Sequence, residues 1–107
     1  MAGWAAKRAM QLNPQIEPNV RATVRGLVGS GFTDQEIQAL ENRALDQVTS
    51  DDLATLHDVA PGVPVDLTAK QDRSIQGLFG RMGNDPVTQR ARDAYQQGIK
   101  SGKIRIH

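Results

Sequence analysis

Three short stretches of this sequence share one pattern for starting an α-helix, and their spacing limits the chain between them to short helices. The stretches "TDQE", "TSDD" and "TAKQ" begin at Thr33, Thr49 and Thr68. In such a capping box the threonine hydroxyl accepts a hydrogen bond from the backbone N–H three residues on, and the side chain at that position bonds back to the threonine N–H. Helix starts this close together leave room for at most about five turns each.

Apolar residues at helical spacing fill the intervals that follow these starts. A helix is also predicted to begin with Pro18 as its first residue, and the last helix with Asp85 as N-cap and Pro86 as first residue. Two stretches alternate apolar and polar side chains as strands do. We therefore predict a mainly α fold class, a compact domain of five or six short helices with at most two short edge strands (63–67 and 103–107).

The chain is predicted to be one domain, because 107 residues is an ordinary single-domain length. Prolines in "NPQIEP" separate a first short helix from the rest. We expect residues 1–107 to form a single helical domain, with a possible docking arm at 1–16, a helical core at 17–100 and a C-terminal strand or tail at 101–107.

The two starts at positions 33 and 49 have the spacing of a helix-turn-helix, which reads DNA with its second helix. Here that second helix would carry Asp51, Asp52 and Asp58 without any Lys or Arg, and we expect it to stop near Val59 or Ala60 because Pro61 follows. Phosphate contacts dominate the affinity of DNA-binding proteins, so an acidic recognition helix is unsuitable. The sequence predicts that these acids cap the helix and complement its dipole.

Charge is distributed along the chain in three blocks, although the net charge is only +1. Residues 1–30 carry +3, residues 31–69 carry −7, and residues 70–107 carry +5. An acidic block between two basic blocks has two ways to be neutralised. It folds back on the basic ends of its own chain, or it meets those of a neighbouring copy in a head-to-tail contact.

Several residues are candidates for contacting a partner. Trp4 stands beside two cations in a segment too short to bind membranes strongly, and "KIRIH" at the C-terminus is a strand that cannot be stable alone. That strand pairs either with "VPVDL" of the same chain, bringing Asp66 near Lys103 or Arg105, or with an edge on another subunit. The predicted partner-binding residues are Trp4, Arg90, Arg92, Tyr95, Lys103, Ile104, Arg105 and Ile106.

The residues that enzymes and metal sites need are sparse. The chain has no cysteine and only two histidines, His57 and His107. None of its four serines stands in a nucleophile-elbow sequence, and Ser50 and His57 would be about 10 Å apart along one helix. We expect no enzyme activity, no cofactor and no metal site. No apolar run is long enough to span a bilayer, so no membrane partner is expected.

These observations predict a non-enzymatic structural or assembly subunit that acts through protein–protein contacts, by self-association or in a larger complex, with a virus particle as one setting. The expected location is the cytoplasm or a virus particle. The alternative is an accessory protein that binds nucleic acid through the basic C-terminal third, residues 81–105, where Tyr95 would stack on a base.

Overall fold

The computed structural model describes residues 4–107, and within them the chain forms six helices and one pair of short strands. In chain order these are α1 (Trp4–Leu12), α2 (Ile16–Val28), α3 (Asp34–Gln47), α4 (Ser50–Leu56), β1 (Val65–Leu67), α5 (Ala69–Arg81), α6 (Pro86–Ser101) and β2 (Ile104–Ile106). The prediction of a mainly α fold with at most two short strands is confirmed. The strands are shorter than predicted, with three residues each.

All three predicted capping boxes are present. At the start of α3 the hydroxyl of Thr33 accepts from the N–H of Glu36 at 3.1 Å, and the Glu36 carboxylate accepts from the N–H of Thr33 at 2.9 Å. Thr49 and Thr68 make the same reciprocal pair at the starts of α4 and α5. The hydrogen bond from the Thr33 N–H, opposed by partial burial and assisted by Arg90, holds the pKa of Glu36 below its ordinary value. This cap therefore keeps its charge at neutral pH.

Replacing Thr33 with alanine is expected to cost about 1 kcal/mol of unfolding free energy, because the N–H of Glu36 loses its acceptor. The measurement is the urea midpoint at constant slope. Gln38→Ala is the matched control, since Gln38 is an exposed side chain on the same helix, and it should change stability by less than about 0.5 kcal/mol. Equal midpoints for Thr33→Ala and wild type would contradict the cap.

Two predicted helix boundaries are wrong. Helix α2 begins at Ile16, so Pro18 is its third residue; the proline is accepted there because the N–H groups of a first turn have no partner within the helix. Helix α4 ends at Leu56 instead of near Val59. The ring of His57 lies 2.7 Å from the carbonyl oxygen of Ala54, with Nδ1 facing it, and occupies the acceptor that a longer helix would need.

The helices and strands share one apolar core built mostly from aliphatic side chains. Its buried members come from every element except α1 and α4, whose Met10, Leu53 and Leu56 pack against it. The core residues are Val24, Leu27, Val28, Ile37, Leu40, Ala44, Val48, Val65, Leu67, Ile75, Leu78, Phe79, Met82, Ala91, Tyr95 and Ile104. Residues from the first and last thirds of the chain therefore pack together in this core with residues of α3 and α5.

Strands β1 and β2 pair in parallel within the chain, which decides between the two partners predicted for the C-terminal strand. Val65 lies opposite Ile104, and the Val65 N–H donates to the Lys103 carbonyl at 2.8 Å. The approach of β2 to α6 is close, because a Cβ added at Gly98 would lie 2.7 Å from Cδ1 of Ile104. Gly102, at φ +83°, makes the turn between α6 and β2.

Candidate functional site

The predicted partner-binding residues of the C-terminal strand divide between core and surface. Ile104 is 3% exposed and Ile106 is half-buried, so both serve the fold. Lys103 and Arg105 are exposed, and Arg105 lies opposite Asp66 in the strand register. The expectation for Ile104 is therefore corrected, because a side chain packed against Gly98 and Val65 has no surface to offer a partner.

Arg90 joins the start of α6 to the start of α3. Its guanidinium forms an ion pair with Glu36 at 2.6 Å, donates to the carbonyl of Gly31 at 2.8 Å, and lies 4.7 Å from the centre of the Phe32 ring. These contacts use both terminal nitrogens and one face of the guanidinium. Arg90 is half-exposed but already bound within the chain.

Arg92 holds the connection between α5 and α6. Its Nη1 donates to the carbonyl of Phe79 at 2.9 Å and to that of Gly83 at 2.8 Å, while Nη2 donates to the side chain of Asn84 at 3.0 Å. The Phe79 carbonyl also accepts from the Met82 N–H at 3.3 Å, so Arg92 adds a second donor to it at the end of α5. Arg92 therefore binds groups of its own chain at the C-terminal end of α5 and just after it.

Tyr95 is a core residue, which corrects the expectation that it stacks on a base or contacts a partner. Its side chain is 1% exposed, packs edge-on against Phe79 with ring centres 5.8 Å apart, and donates its hydroxyl to Asp72 at 2.5 Å. Burial, together with the adjacent Asp72 carboxylate, raises the pKa of Tyr95 above its ordinary value. A ring so enclosed has no face available to a ligand.

The acidic middle of the chain folds back on both basic ends. Glu41 on α3 is 2% exposed and accepts from Arg21 at 3.1 Å and Arg25 at 2.5 Å, both on α2. Asp52 accepts from Arg81 of α5. The charges of Glu41 and Asp52 are therefore neutralised by basic residues of the same chain, which is one of the two ways predicted from the sequence.

One helix face stays without internal partners among the described residues. Trp4, Arg8 and Leu12 recur every four residues along one side of α1, whereas Ala6 on the other side is buried. Trp4 is 80% exposed and Leu12 is 73% exposed. Neither Arg8 nor the neighbouring Lys7 makes an ion pair within residues 4–107. We call these four residues (Trp4, Lys7, Arg8 and Leu12) the α1 outer face.

The structure also contains a cavity between α2 and α4 that the sequence did not predict. It has a volume of about 310 Å³, and its lining is mostly apolar. Behind its half-buried walls lie the core residues Val24, Leu27, Ile75, Leu78 and Phe79. Its exposed mouth includes Asn13, Asn19 and His57. We call this the α2–α4 cavity.

Two polar residues that line the α2–α4 cavity, Asp52 and His57, differ in the number of hydrogen bonds that they make. Asp52 is buried, and its oxygens accept from Ser74 at 2.6 Å, from the N–H of Thr49 at 3.1 Å and from Arg81. Although burial opposes it, these hydrogen bonds and the charge of Arg81 keep the pKa of Asp52 below its ordinary value. His57 makes one hydrogen bond, through Nδ1. The pattern Ile16, Val20, Val24 and Leu27 was the available signal for one cavity wall.

Within residues 4–107 no three His, Cys, Asp or Glu side chains are grouped so that they could hold a metal ion. The same residues include no helix with the length and apolar character required to cross a membrane. No protein-family description, curated protein or solved structure significantly matches this chain.

Proposed function

We propose that this chain is a non-enzymatic assembly subunit that associates with further copies of itself through the α1 outer face. The observation that carries the proposal is the exposure of Trp4 at 80% and Leu12 at 73% on one side of a helix. Tryptophan is among the residues most enriched at the energetic centres of protein interfaces. The cations Lys7 and Arg8 beside them give this apolar strip a charge that selects an acidic partner surface.

The non-enzymatic part of the proposal is supported by the state of the polar groups in the α2–α4 cavity. Asp52 is the buried carboxylate there, and its hydrogen bonds to Ser74 and Thr49 and its ion pair with Arg81 occupy both oxygens. His57 bonds a carbonyl oxygen, and no carboxylate orients its ring. A general base needs a free lone pair directed at the substrate and a nucleophile within hydrogen-bond reach. His57 has a free lone pair on Nε2, but within the described residues no nucleophilic side chain is hydrogen-bonded to its ring.

A second copy fits as the partner by charge. Asp46 at the end of α3 and Asp51 at the start of α4 are exposed acids that make no ion pair within the described residues. We call these two residues the α3–α4 corner. Its charge of −2 complements the +2 of Lys7 and Arg8. Where one such contact joins each pair of copies, it is head-to-tail and forms a ring or an open chain.

Self-association is expected to depend on apolar contact and on charge together. Wild type should show a mass above 11.7 kDa in light scattering at about 100 µM, and Trp4→Ser/Leu12→Ser should return it to 11.7 kDa. Raising the salt concentration should weaken the wild-type complex, because exposed charges are screened. Val63→Ser is the matched control, since Val63 is 81% exposed and lies outside α1.

A wild type that stays at 11.7 kDa at every concentration and salt level would refute the proposal. If Val63→Ser reduced association as much as Trp4→Ser/Leu12→Ser, the proposal would also be refuted. The loss would then come from removing any exposed apolar side chain, and not from the α1 outer face. Asp46→Asn/Asp51→Asn tests the acidic surface and should weaken association as Lys7→Gln/Arg8→Gln does.

Nucleic-acid binding stays a prediction, and it would rest on basic side chains of the C-terminal third that have no ion-pair partner within the described residues. Lys100, Lys103 and Arg105 are exposed and make no ion pair within the described residues, whereas Arg90 and Arg92 are bound to their own chain. Titrating a fluorescent DNA oligomer into the protein at low salt separates the two functions. Binding that Lys103→Ala/Arg105→Ala weakens, in a protein that stays monomeric, would favour this alternative.

A further inference from the structure

We infer that the α2–α4 cavity is a binding site for a small apolar molecule that carries one hydrogen-bond donor. This inference goes beyond the proposed self-association and does not depend on it. The surface that a ligand would touch is formed by half-buried side chains such as Val20, Leu53 and Leu56, next to an exposed polar mouth. Ile75 is 0% exposed and lies behind that surface, in the core.

The volume sets the size of the ligand. An apolar cavity of about 150 Å³ in another protein accommodates benzene. At about 310 Å³ the α2–α4 cavity has room for a molecule about twice as large, such as two fused aromatic rings. Small-molecule sites in proteins commonly begin at about 300 Å³, and they combine an apolar lining with a few polar groups. Both features are present here.

The lining sets the polarity of the ligand. Val20, Val24, Leu53, Leu56, Leu78 and Phe79 surround the interior with aliphatic and aromatic groups. The buried carboxylate of Asp52 is neutralised by Arg81, so it offers little to a ligand cation. An apolar body therefore gains the full benefit of leaving water, whereas an ionised group inside would lose its hydration without compensation.

His57 sets the position of the polar group. Its Nδ1 faces the Ala54 carbonyl at 2.7 Å, and a carbonyl oxygen only accepts, so this nitrogen carries the proton. In the neutral ring Nε2 is then an acceptor, and it has no hydrogen-bond partner within residues 4–107. His57 lines both the α2–α4 cavity and the adjoining pocket towards Val59 and Pro61. A hydroxyl or N–H on the ligand is recognised at this mouth.

The probes for the test are 1-naphthol, which has a donor, and 1-methoxynaphthalene, which has the same rings without one. Binding is followed by amide shifts in NMR spectra of the full chain. We expect 1-naphthol to bind with a dissociation constant on the order of 100 µM and to shift residues of α2 and α4. It should bind about three- to tenfold more tightly than 1-methoxynaphthalene, the usual gain from one hydrogen bond.

Two variants locate the ligand. Val20→Phe fills the cavity from a half-exposed wall position and should abolish binding of both probes, and an unchanged helical spectrum and thermal midpoint show that it folds. His57→Leu should remove the preference for 1-naphthol while keeping the binding of 1-methoxynaphthalene. Gln38→Ala, on an exposed surface outside the cavity lining, should change neither.

Three results would overturn the inference. The first is an absence of amide shifts with either probe at its solubility limit. The second is binding that Val20→Phe leaves intact. The third is probe binding that weakens as the protein concentration rises but stays constant in the Trp4→Ser variant. That result would show that the indole of a second copy occupies the cavity. Because this last test also measures association, failure of the inference and failure of the proposed function give different results.

Discussion

Tyr95→Ala is expected to lower the free energy of unfolding by about 3–5 kcal/mol, the usual cost of removing a large buried ring. The ring is 1% exposed and meets Phe79 edge-on, and its hydroxyl donates to Asp72. Domains of this size are stable by only about 5–15 kcal/mol, so the variant should lose a large part of its stability. The measurement is the denaturant midpoint followed by helical circular dichroism.

Tyr95→Phe is the control for that prediction. It keeps the packing with Phe79 and removes only the hydroxyl, so about 1 kcal/mol should be lost. The Asp72 carboxylate still accepts from Gln76 at 3.1 Å on the solvent side. If Tyr95→Ala had the stability of wild type, the ring would lie at the surface, and the original expectation of a stacking residue would hold.

Deleting residues 103–107 is expected to lower the thermal midpoint by about 10 °C or more without changing the number of chains that associate. The deletion removes Ile104 from the core, where truncating a buried isoleucine alone costs about 2–5 kcal/mol. It also exposes Val65 and Leu67, which β2 covers as its parallel partner. The oligomeric state should stay unchanged because the strands pair within one chain.

The matched control is Lys103→Ala/Arg105→Ala, which keeps the strand and removes two exposed side chains. It should change stability by less than about 0.5 kcal/mol. Loss of association on deletion, with an unchanged thermal midpoint, would mean that β2 pairs between chains in solution. That result would contradict the parallel pair described above.

The helix starts could be predicted from the sequence because a capping box is local. Thr33 and Glu36 satisfy each other within one turn, so nothing distant has to be known. The same holds for Asp85, whose carboxylate caps α6 through the hydroxyl and N–H of Thr88. The start of α2 was predicted wrongly because its N-cap, Gln15, makes no side-chain cap, and the end of α4 because the His57 ring bonds the Ala54 carbonyl.

The role of Tyr95 was harder to predict because two faces of α6 have apolar spacing. The small and apolar residues Val87, Ala91, Ala94 and Gly98 predict one face by their helical spacing, whereas the buried residues are Thr88, Ala91, Tyr95 and Gly98. The two sets share Ala91 and Gly98 and differ at the other two positions, and tyrosine has both apolar and polar character. Only packing against Phe79 and the acceptor on Asp72 determine which face turns inward.

The candidate site was the least predictable feature because it depends on distances between elements. The apolar spacing of Val20, Val24 and Leu27 predicts that this side of α2 is covered. It does not show that α4 lies far enough away to leave a cavity. The destinations of Arg90 and Arg92 likewise depend on α3 and α5, which lie elsewhere in the sequence.

The most direct test of the proposed self-association is the fluorescence emission of Trp4 as a function of protein concentration, measured with the molar mass. Trp4 is the only tryptophan of the chain and is 80% exposed, so its emission reports on the α1 outer face without a label. We predict the spectrum of a water-exposed indole in dilute protein, and a shift to shorter wavelength as the mass rises above 11.7 kDa. Added salt should reverse both changes. A rise in mass with an unchanged Trp4 spectrum would place the interface elsewhere, and a constant spectrum at 11.7 kDa would contradict self-association.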